Sequence, residues 1–315
     1  MNGGYKKYTE KLFFKNWTIG IGVTDIEDVI RNKKFDPEIK WLFARDLSKY
    51  YADPFILHAD GNQFTILVEE FSYKSDYGIL SQLTLDRNRK LIKHKVLLDT
   101  GSHLSYPFFV TENNRTYIFP EAGMSGKLSC YEYDHQNECL IFVKDILDLP
   151  LRDATILKKD GKYWIFATIN EGRSNYWLHV FYSDNLLGPY TAHRKNPIKS
   201  GLNGNRGAGQ FIEVDGTFYR PTQNCINAYG ESITLNKIVE LNESEVVENA
   251  YFDIVVGNMK KANSGMYTIH TINVIDNNIV VDGIKWTFSP LIQLKSFINR
   301  RMRSKSSQTI INPEV

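Results

Sequence analysis

DATILKKDGKYWIFATIN, residues 153–170, decides the fold. A strand-like run reaches a turn pair, Asp160-Gly161, and a second, more aromatic run follows. The arrangement returns as DPFILHADGNQFTILVEEF from Asp53, YPFFVTENNRTYIFPEAG from Tyr106, GAGQFIEVDGTFYRPTQN from Gly207 and TIHTINVIDNNIVVDG from Thr268. The other turn pairs are Asp60-Gly61, Asn113-Asn114, Asp215-Gly216 and Asn277-Asn278. Asp-Gly and Asn-rich pairs between apolar runs signal β-hairpins, because a type I′ turn needs positive φ at both central residues. Hairpins repeating at a period of roughly fifty residues imply a propeller. About five four-stranded blades use most of the chain. The expected fold is therefore all-β: a single five-bladed β-propeller over residues 1–290.

The flanking segments read differently. Residues 1–50 form a short N-terminal approach segment, in which Trp17 to Val23 is expected to close the ring by pairing with the last blade. DIEDVIRN after it reads as a short helix, since Ile26, Val29 and Ile30 share one face. Over residues 291–315, Leu291, Leu294, Phe297, Ile298 and Met302 recur at helical spacing among Lys295, Arg300, Arg301, Arg303 and Lys305. This predicts a C-terminal basic amphipathic helix, able to lie on an anionic membrane or to dock on the propeller.

Composition excludes several classes. The net charge of +2 gives no basic excess, which argues against a nucleic-acid partner. The N-terminal MNGGYKKYTEKLFF lacks an apolar h-region, and no stretch is apolar for long enough to span a bilayer. Cys130, Cys139 and Cys225 are odd in number and irregular in spacing, so they form neither a disulfide framework nor a zinc motif. A cytoplasmic setting, possibly peripheral to the inner face of the membrane, is expected. The loop SGLNGNRGAG lacks phosphate-loop spacing, and no GxSxG nucleophile motif is present. No His, Asp and Glu set has ligand spacing on one element, so neither a metal nor another cofactor is indicated.

Seven residues before the turn pairs, where each innermost strand begins, stand Asp53, Tyr106, Asp153, Ala208 and His270. Innermost strands line the central channel of a propeller, one end of which is a ready-made pocket. The second strands add Glu69 or Glu70, Glu121, Thr168 and Gln223 at similar depth. Converging carboxyls suit glycosyl chemistry: an ionised one serves as base or stabilises charge at the anomeric carbon, and one with a raised pKa protonates the leaving oxygen. The competing reading is that Asp53 and Asp153 merely open strands and cap turns. Arg152, Arg206 and Arg220 offer guanidinium forks of the kind that bind phosphate or carboxylate. Arg206 is expected at the pocket rim. His58, His103 and His179 read as structural.

The runs HLSYPFFVTENNRTYIFPEAG, DATILKKDGKYWIFAT, LHVFYSDNLLGPYTAHRKNPI, RGAGQFIEVDGTFYRPTQNC and GMYTIHTIN resemble, in combination, the N-terminal domain of the glucosamine inositolphosphorylceramide transferases and its bacterial relatives from surface-polysaccharide loci. That domain is similar in turn to the five-bladed glycoside hydrolases of the arabinanase and β-xylosidase type. The resemblance implies a base at Asp53 and a tuning carboxylate at Asp153. The expected Glu acid has no clear counterpart: the fourth repeat offers Ala208 and Gln210, and Glu121 is the substitute from another blade. Substrate contacts are assigned to His270, Tyr106, Arg206, Gln223 and Arg152. The implied function is glycosyl transfer in surface-glycan synthesis from a sugar or nucleotide-sugar. A glycoside hydrolase and a non-catalytic sugar-binding propeller that recruits a partner enzyme are the alternatives.

Overall fold

The computed structural model describes residues 13–288 apart from 43, 45, 61, 172–174, 257–265 and 267. The chain opens with β1 (Phe13–Val23), α1 (Ile26–Asn32) and β2 (Lys40–Leu42). Blade 1 follows as β3 (Lys49–Ala59), β4 (Gln63–Ser72), β5 (Tyr77–Asp86) and β6 (Leu91–Leu98). Blade 2 is β7 (Ser105–Glu112), β8 (Arg115–Glu121), β9 (Leu128–Asp134) and β10 (Cys139–Leu147). Blade 3 is β11 (Arg152–Lys159), β12 (Lys162–Glu171), β13 (Asn175–Ser183) and the short β14 (Thr191–Ala192) and β15 (Lys199–Gly201). Blade 4 is β16 (Asn203–Gly207), β17 (Ile212–Val214), β18 (Thr217–Asn224), β19 (Ser232–Leu241) and β20 (Val246–Ile254). Blade 5 takes β21 (Ile272–Ile275) and β22 (Asn278–Phe288) from the end of the chain and β1 and β2 from its beginning, in the order β2-β1-β22-β21.

The five sheets are antiparallel meanders, as the hairpin repeat predicts. β1 pairs with β22 from Phe13 opposite Phe288 to Val23 opposite Asn278. The approach strand thus closes the ring, joining both ends of the chain in one blade. α1 starts at Asp25, whose Oδ1 accepts from the Glu27 and Asp28 amides at 3.0 and 3.1 Å, the usual satisfaction of first-turn donors. Val29 and Ile30 seat the helix on an apolar cluster with Ile212, Ile233, Ile254 and Ile272 of blades 4 and 5.

Three turn pairs take the left-handed conformation that a two-residue I′ turn requires: Asn113 and Asn114 (φ 51° and 61°), Asp160 and Gly161 (51° and 76°), and Asp215 and Gly216 (50° and 69°). In blade 5 the turn falls on Asp276 and Asn277, one residue earlier than expected, since Ile275 pairs with Asn278. His270 nevertheless faces the axis. The innermost strands of blades 1 to 3 each slip in register, between Ala52 and Phe55, Ser105 and Phe108, and Arg152 and Thr155. β21 pairs with β22 without a slip. A bulge adds one residue, so an offset of seven in a bulged blade matches six in an unbulged one.

The predicted basic helix over residues 291–315 lies outside the described residues. Among the described residues no helix is long and apolar enough to cross a membrane.

Candidate functional site on the propeller axis

The bulges build the site. Asp53, Tyr106 and Asp153 occupy the same place in three blades with nearly the same left-handed φ of 48°, 46° and 48°. Aspartate tolerates that conformation; for a bulky tyrosine it is an outlier that only surrounding structure enforces. A bulge re-aims the side chain and takes the amide out of the ladder. Each of these three amides instead donates to a carboxylate of the preceding blade. Asp53 N–H donates to Asp282 Oδ2 at 2.9 Å, Tyr106 N–H to Asp53 Oδ2 at 3.1 Å, and Asp153 N–H to Glu121 Oε2 at 3.2 Å. A chain of carboxylates around the axis thus ties blade 5 to 1, 1 to 2 and 2 to 3.

Asp53, Asp153, Glu121, His270 and Arg206 are all buried around this axis. Arg206 grips Asp153 through both oxygens, Nε to Oδ2 at 2.5 Å and Nη2 to Oδ1 at 2.9 Å, and stands 3.7 Å from Glu121. It is therefore a buried member of the site, where the sequence placed it at the rim: the fork pays for its burial by pairing with carboxylates on two blades. Arg152 is the rim residue, 39% exposed and 3.5 Å from Glu121 Oε1. His270 Nδ1 donates to Asp282 Oδ1 at 2.6 Å, which fixes the ring and turns Nε2 towards Asp53 Oδ1 at 3.4 Å. Trp17 covers that ring at 4.1 Å between centroids, and Tyr229 lies 5.6 Å away. Tyr229, 41% exposed, also receives an Arg206 Nη1 hydrogen bond on its hydroxyl at 3.1 Å.

Tyr106 and Gln223, assigned to substrate contact, are turned inward. The Tyr106 hydroxyl meets Thr155 Oγ1 at 2.9 Å and accepts from the Gly209 amide at 2.8 Å. Gln223 Nε2 donates to the Gly207 carbonyl at 2.9 Å. Both hold the inner strands together. Ala208 is fully buried, and Gln210 meets Asn273 through its amide, so blade 4 presents no acid there.

Two carboxyls complete the cluster. Asp282 is fully buried and accepts the amides of Asp53, His270 and Thr271 besides the imidazole. The sequence reading missed it because second-strand positions are read there in the first four repeats only; Asp282 is the second-strand residue of the fifth, in the VVDG run. Glu69, buried beside Asp53, has no hydrogen bond to Oε1 among the described residues, and His103 Nε2 stands 3.9 Å from it. Gly78 makes room for it, since a Cβ there would stand 2.5 Å from that oxygen.

Burial decides the electrostatics. It raises the Asp53 carboxyl to about 7, helped by the charges of Asp282 and Asp153 and opposed by His270 and Arg206. It raises Glu121 to about 8, helped by Asp153 and opposed by Arg206 and Arg152. Glu69 is pushed well up by burial and by Asp53, Glu121 and Asp282. His270 is disfavoured as a cation by burial, but Asp282 and then Asp53 outweigh this and hold its pKa above the usual value. Near neutral pH the site therefore holds both protonated and ionised carboxyls, the pairing that acid–base chemistry uses.

Asp53, His270 and Asp282 each offer a ligand atom, all within 4.8 Å of one another. They lie on different elements, so spacing within one element could not reveal them. Both oxygens of Asp282 are committed to N–H donors. Asp53 Oδ1 and His270 Nε2 remain as free ligand atoms, fewer than the three protein ligands of a usual catalytic zinc site.

A five-bladed propeller with a buried, carboxyl-rich axial site is the class this architecture defines. The fold alone is shared with the family 117 glycoside hydrolase Zg3597 of Zobellia galactanivorans (TM-score 0.53, 12% identity, 87% of this chain and 91% of that one). It is shared too with the GH43 protein BlXynB of Bacillus licheniformis (TM-score 0.51, 16% identity, 68% and 48%). At such identities the likeness is one of fold. Residues 43–278 match the family described as glucosamine inositolphosphorylceramide transferase 1, N-terminal, and the chain belongs to that family. It is 32% identical over 207 residues to glucosamine inositolphosphorylceramide transferase 1 of Arabidopsis thaliana and 31% identical over 209 to that of Oryza sativa subsp. japonica. These matches cover 64% of this chain but only 27% and 28% of the plant proteins.

Proposed function

We propose that the axial pocket binds a sugar and that the chain transfers a glycosyl group in surface-glycan synthesis. The observation that carries this reading is Asp53 Oδ1: a carboxylate oxygen, buried, without a hydrogen bond among the described residues, and facing His270 Nε2 across 3.4 Å. An unpaired buried acceptor is costly and persists where a ligand donor is to meet it. The plant relatives, by their name, transfer glucosamine; family membership brings that class of chemistry to this chain as part of the proposal.

In transfer from a nucleotide sugar, an acceptor hydroxyl attacks the anomeric carbon as the bond to the nucleotide diphosphate breaks. The hydroxyl proton passes to Asp53, whose pKa near 7 suits a base at neutral pH. Glu121, protonated at that pH, donates a hydrogen bond to the departing side, and Arg152 at the rim meets its charge. Tyr229 gives the sugar ring an exposed aromatic face. The diphosphate is a good leaving group, so no strong protein acid is needed.

The main-chain ties favour one rival. Asp53, Glu121 and Asp282 each spend an oxygen on a bulge amide, as a scaffold that only binds sugar would require. Turnover separates the two. Incubation with a panel of nucleotide sugars and glycan acceptors should release nucleotide diphosphate, and Asp53→Asn should abolish release while the protein still binds sugar. Sugar binding without turnover of any donor would establish the binding module, and cleavage of nitrophenyl glycosides would establish a hydrolase with Asp53 as base and Glu121 as acid.

A further inference from the structure

A second cavity, of about 460 Å³, opens at the seam between the outer strands of blades 5 and 1. It is separate from the axial site. Glu69 and Glu70 are successive residues of β4 and face opposite sides of the sheet: Glu69 joins the axial carboxyls, and Glu70 floors this cavity. The volume lies in the range of small-molecule sites. Leu42, Tyr51 and Leu91 give it an apolar wall.

The polar lining is unbalanced. Lys40, Lys49, Arg89 and Lys90 face two carboxylates, Asp46 and Glu70. Glu70, with a side chain 1% exposed, already accepts from Lys49 Nζ at 2.5 Å, His94 Nε2 at 2.5 Å and Ser81 Oγ at 2.7 Å. Burial works against its charge, but the donors from His94, Lys49 and Ser81 prevail and hold its pKa down to about 2. Asp46 Oδ1 is occupied by the Ser48 amide at 2.8 Å. Lys49 is thereby neutralised, and the other three cations are not. Lys40 Nζ reaches only the Asn88 carbonyl, at 2.5 Å. Arg89, half-buried over the Phe64 ring, meets only neutral oxygens, Gly22 O and Asn278 Oδ1, each at 3.5 Å. Burial lowers its pKa, with no counter-charge to oppose the loss of water. Lys90 has no carboxylate partner among the described residues. A guanidinium partly withdrawn from water without an anion is unfavourable unless a ligand supplies one.

We propose that this seam cavity binds an organic phosphate, with Arg89, Lys40 and Lys90 on the phosphate oxygens and the apolar wall against the organic body. Arg89 supplies the fork and the two lysines the point charges. The site does not depend on the axial chemistry.

The test is calorimetry on the full chain with UDP, a hexose 1-phosphate and inorganic phosphate, and co-sedimentation with vesicles of anionic or neutral phospholipid. The wild type is compared with Arg89→Gln and with Lys40→Gln/Lys90→Gln, whose side chains are solvent-facing. Binding of UDP or the hexose phosphate should weaken about tenfold in Arg89→Gln and in the double lysine variant, as expected on losing a charge-assisted hydrogen bond, and should weaken as salt rises. Neither variant alters an axial residue, so that loss separates this cavity from the axial site. Sedimentation with anionic vesicles alone, lost in the same variants, would identify the phosphate as a lipid headgroup. Binding undiminished in both variants, or no binding of any phosphate probe to the wild type, would overturn the proposal.

Discussion

Replacing Arg206 with methionine should strand the Asp153 carboxylate. The pair is bidentate, at 2.5 and 2.9 Å, with side chains 8% and 3% exposed. Removing one member of such a pair leaves a buried charge uncompensated and costs about 3–5 kcal/mol, whereas replacing both by apolar groups of similar size is often near neutral. With a urea m-value of about 3 kcal/mol/M, Arg206→Met should lower the midpoint by about 1 M or more. Arg206→Met/Asp153→Leu should recover most of that loss, a coupling of several kcal/mol in a double-mutant cycle. Residual cost is expected, because Arg206 also approaches Glu121 and bonds the Tyr229 hydroxyl. Equilibrium unfolding followed by tryptophan fluorescence reads all four proteins. A single-variant cost below about 1 kcal/mol, or a double variant as unstable as the sum of the singles, would refute the idea that this pair neutralises the axis.

Stability should peak at mildly acidic pH. Asp53 and Glu121 have folded pKa values raised to about 7 and 8, so the folded chain binds more protons than the unfolded one between about pH 4 and those values, and stability falls as pH rises there. The raised His270 acts in the same direction, its contribution being lost as pH climbs through its folded pKa. Glu70, held down to about 2, loses its contribution as pH falls below about 4. Melting temperatures between pH 3 and 9 should show the peak, and Asp53→Asn and Glu121→Gln should each flatten its alkaline side; an unchanged slope would be evidence against the raised carboxyls. Asp282→Ala removes the acceptor of three buried amides and should cost about 3 kcal/mol or more by denaturant unfolding. Tyr106→Phe should cost about 1–3 kcal/mol by leaving the Gly209 amide unpaired, with sugar affinity unchanged. Truncation near Ser289 should reduce pelleting with anionic vesicles at low salt if the basic run binds lipid, and equal pelleting would leave the docked-helix reading.

The repeat was legible because turn chemistry is local. Asn113-Asn114, Asp160-Gly161 and Asp215-Gly216 need no partner to declare their φ, and with Asp60-Gly61 and Asn277-Asn278 they set the period and the blade count. Asp53, Asp153 and His270 could be placed on the axis by counting back from those turns. The count was a residue out in blade 5, where the innermost strand lacks a bulge, and bulges are fixed by packing between blades rather than by a residue pattern. Arg206 was visible as a fork without a partner; that it is buried depends on Asp153 and Glu121 arriving from two other blades. Asp282 was illegible for the same reason, since one of its partners, the Asp53 amide, lies across the seam between blades 5 and 1, and the place of the Glu69 oxygen depends on the space that Gly78 leaves on the next strand.

The most direct measurement is a crystal structure of the protein soaked with nucleotide sugars and free hexoses. The account predicts a sugar ring on the propeller axis, with a hydroxyl on Asp53 Oδ1, a face against Tyr229 and the Arg206–Asp153 pair intact. A sugar bound elsewhere with the axial carboxyls untouched, or an axis that stays unliganded while binding is measured in solution, would contradict it.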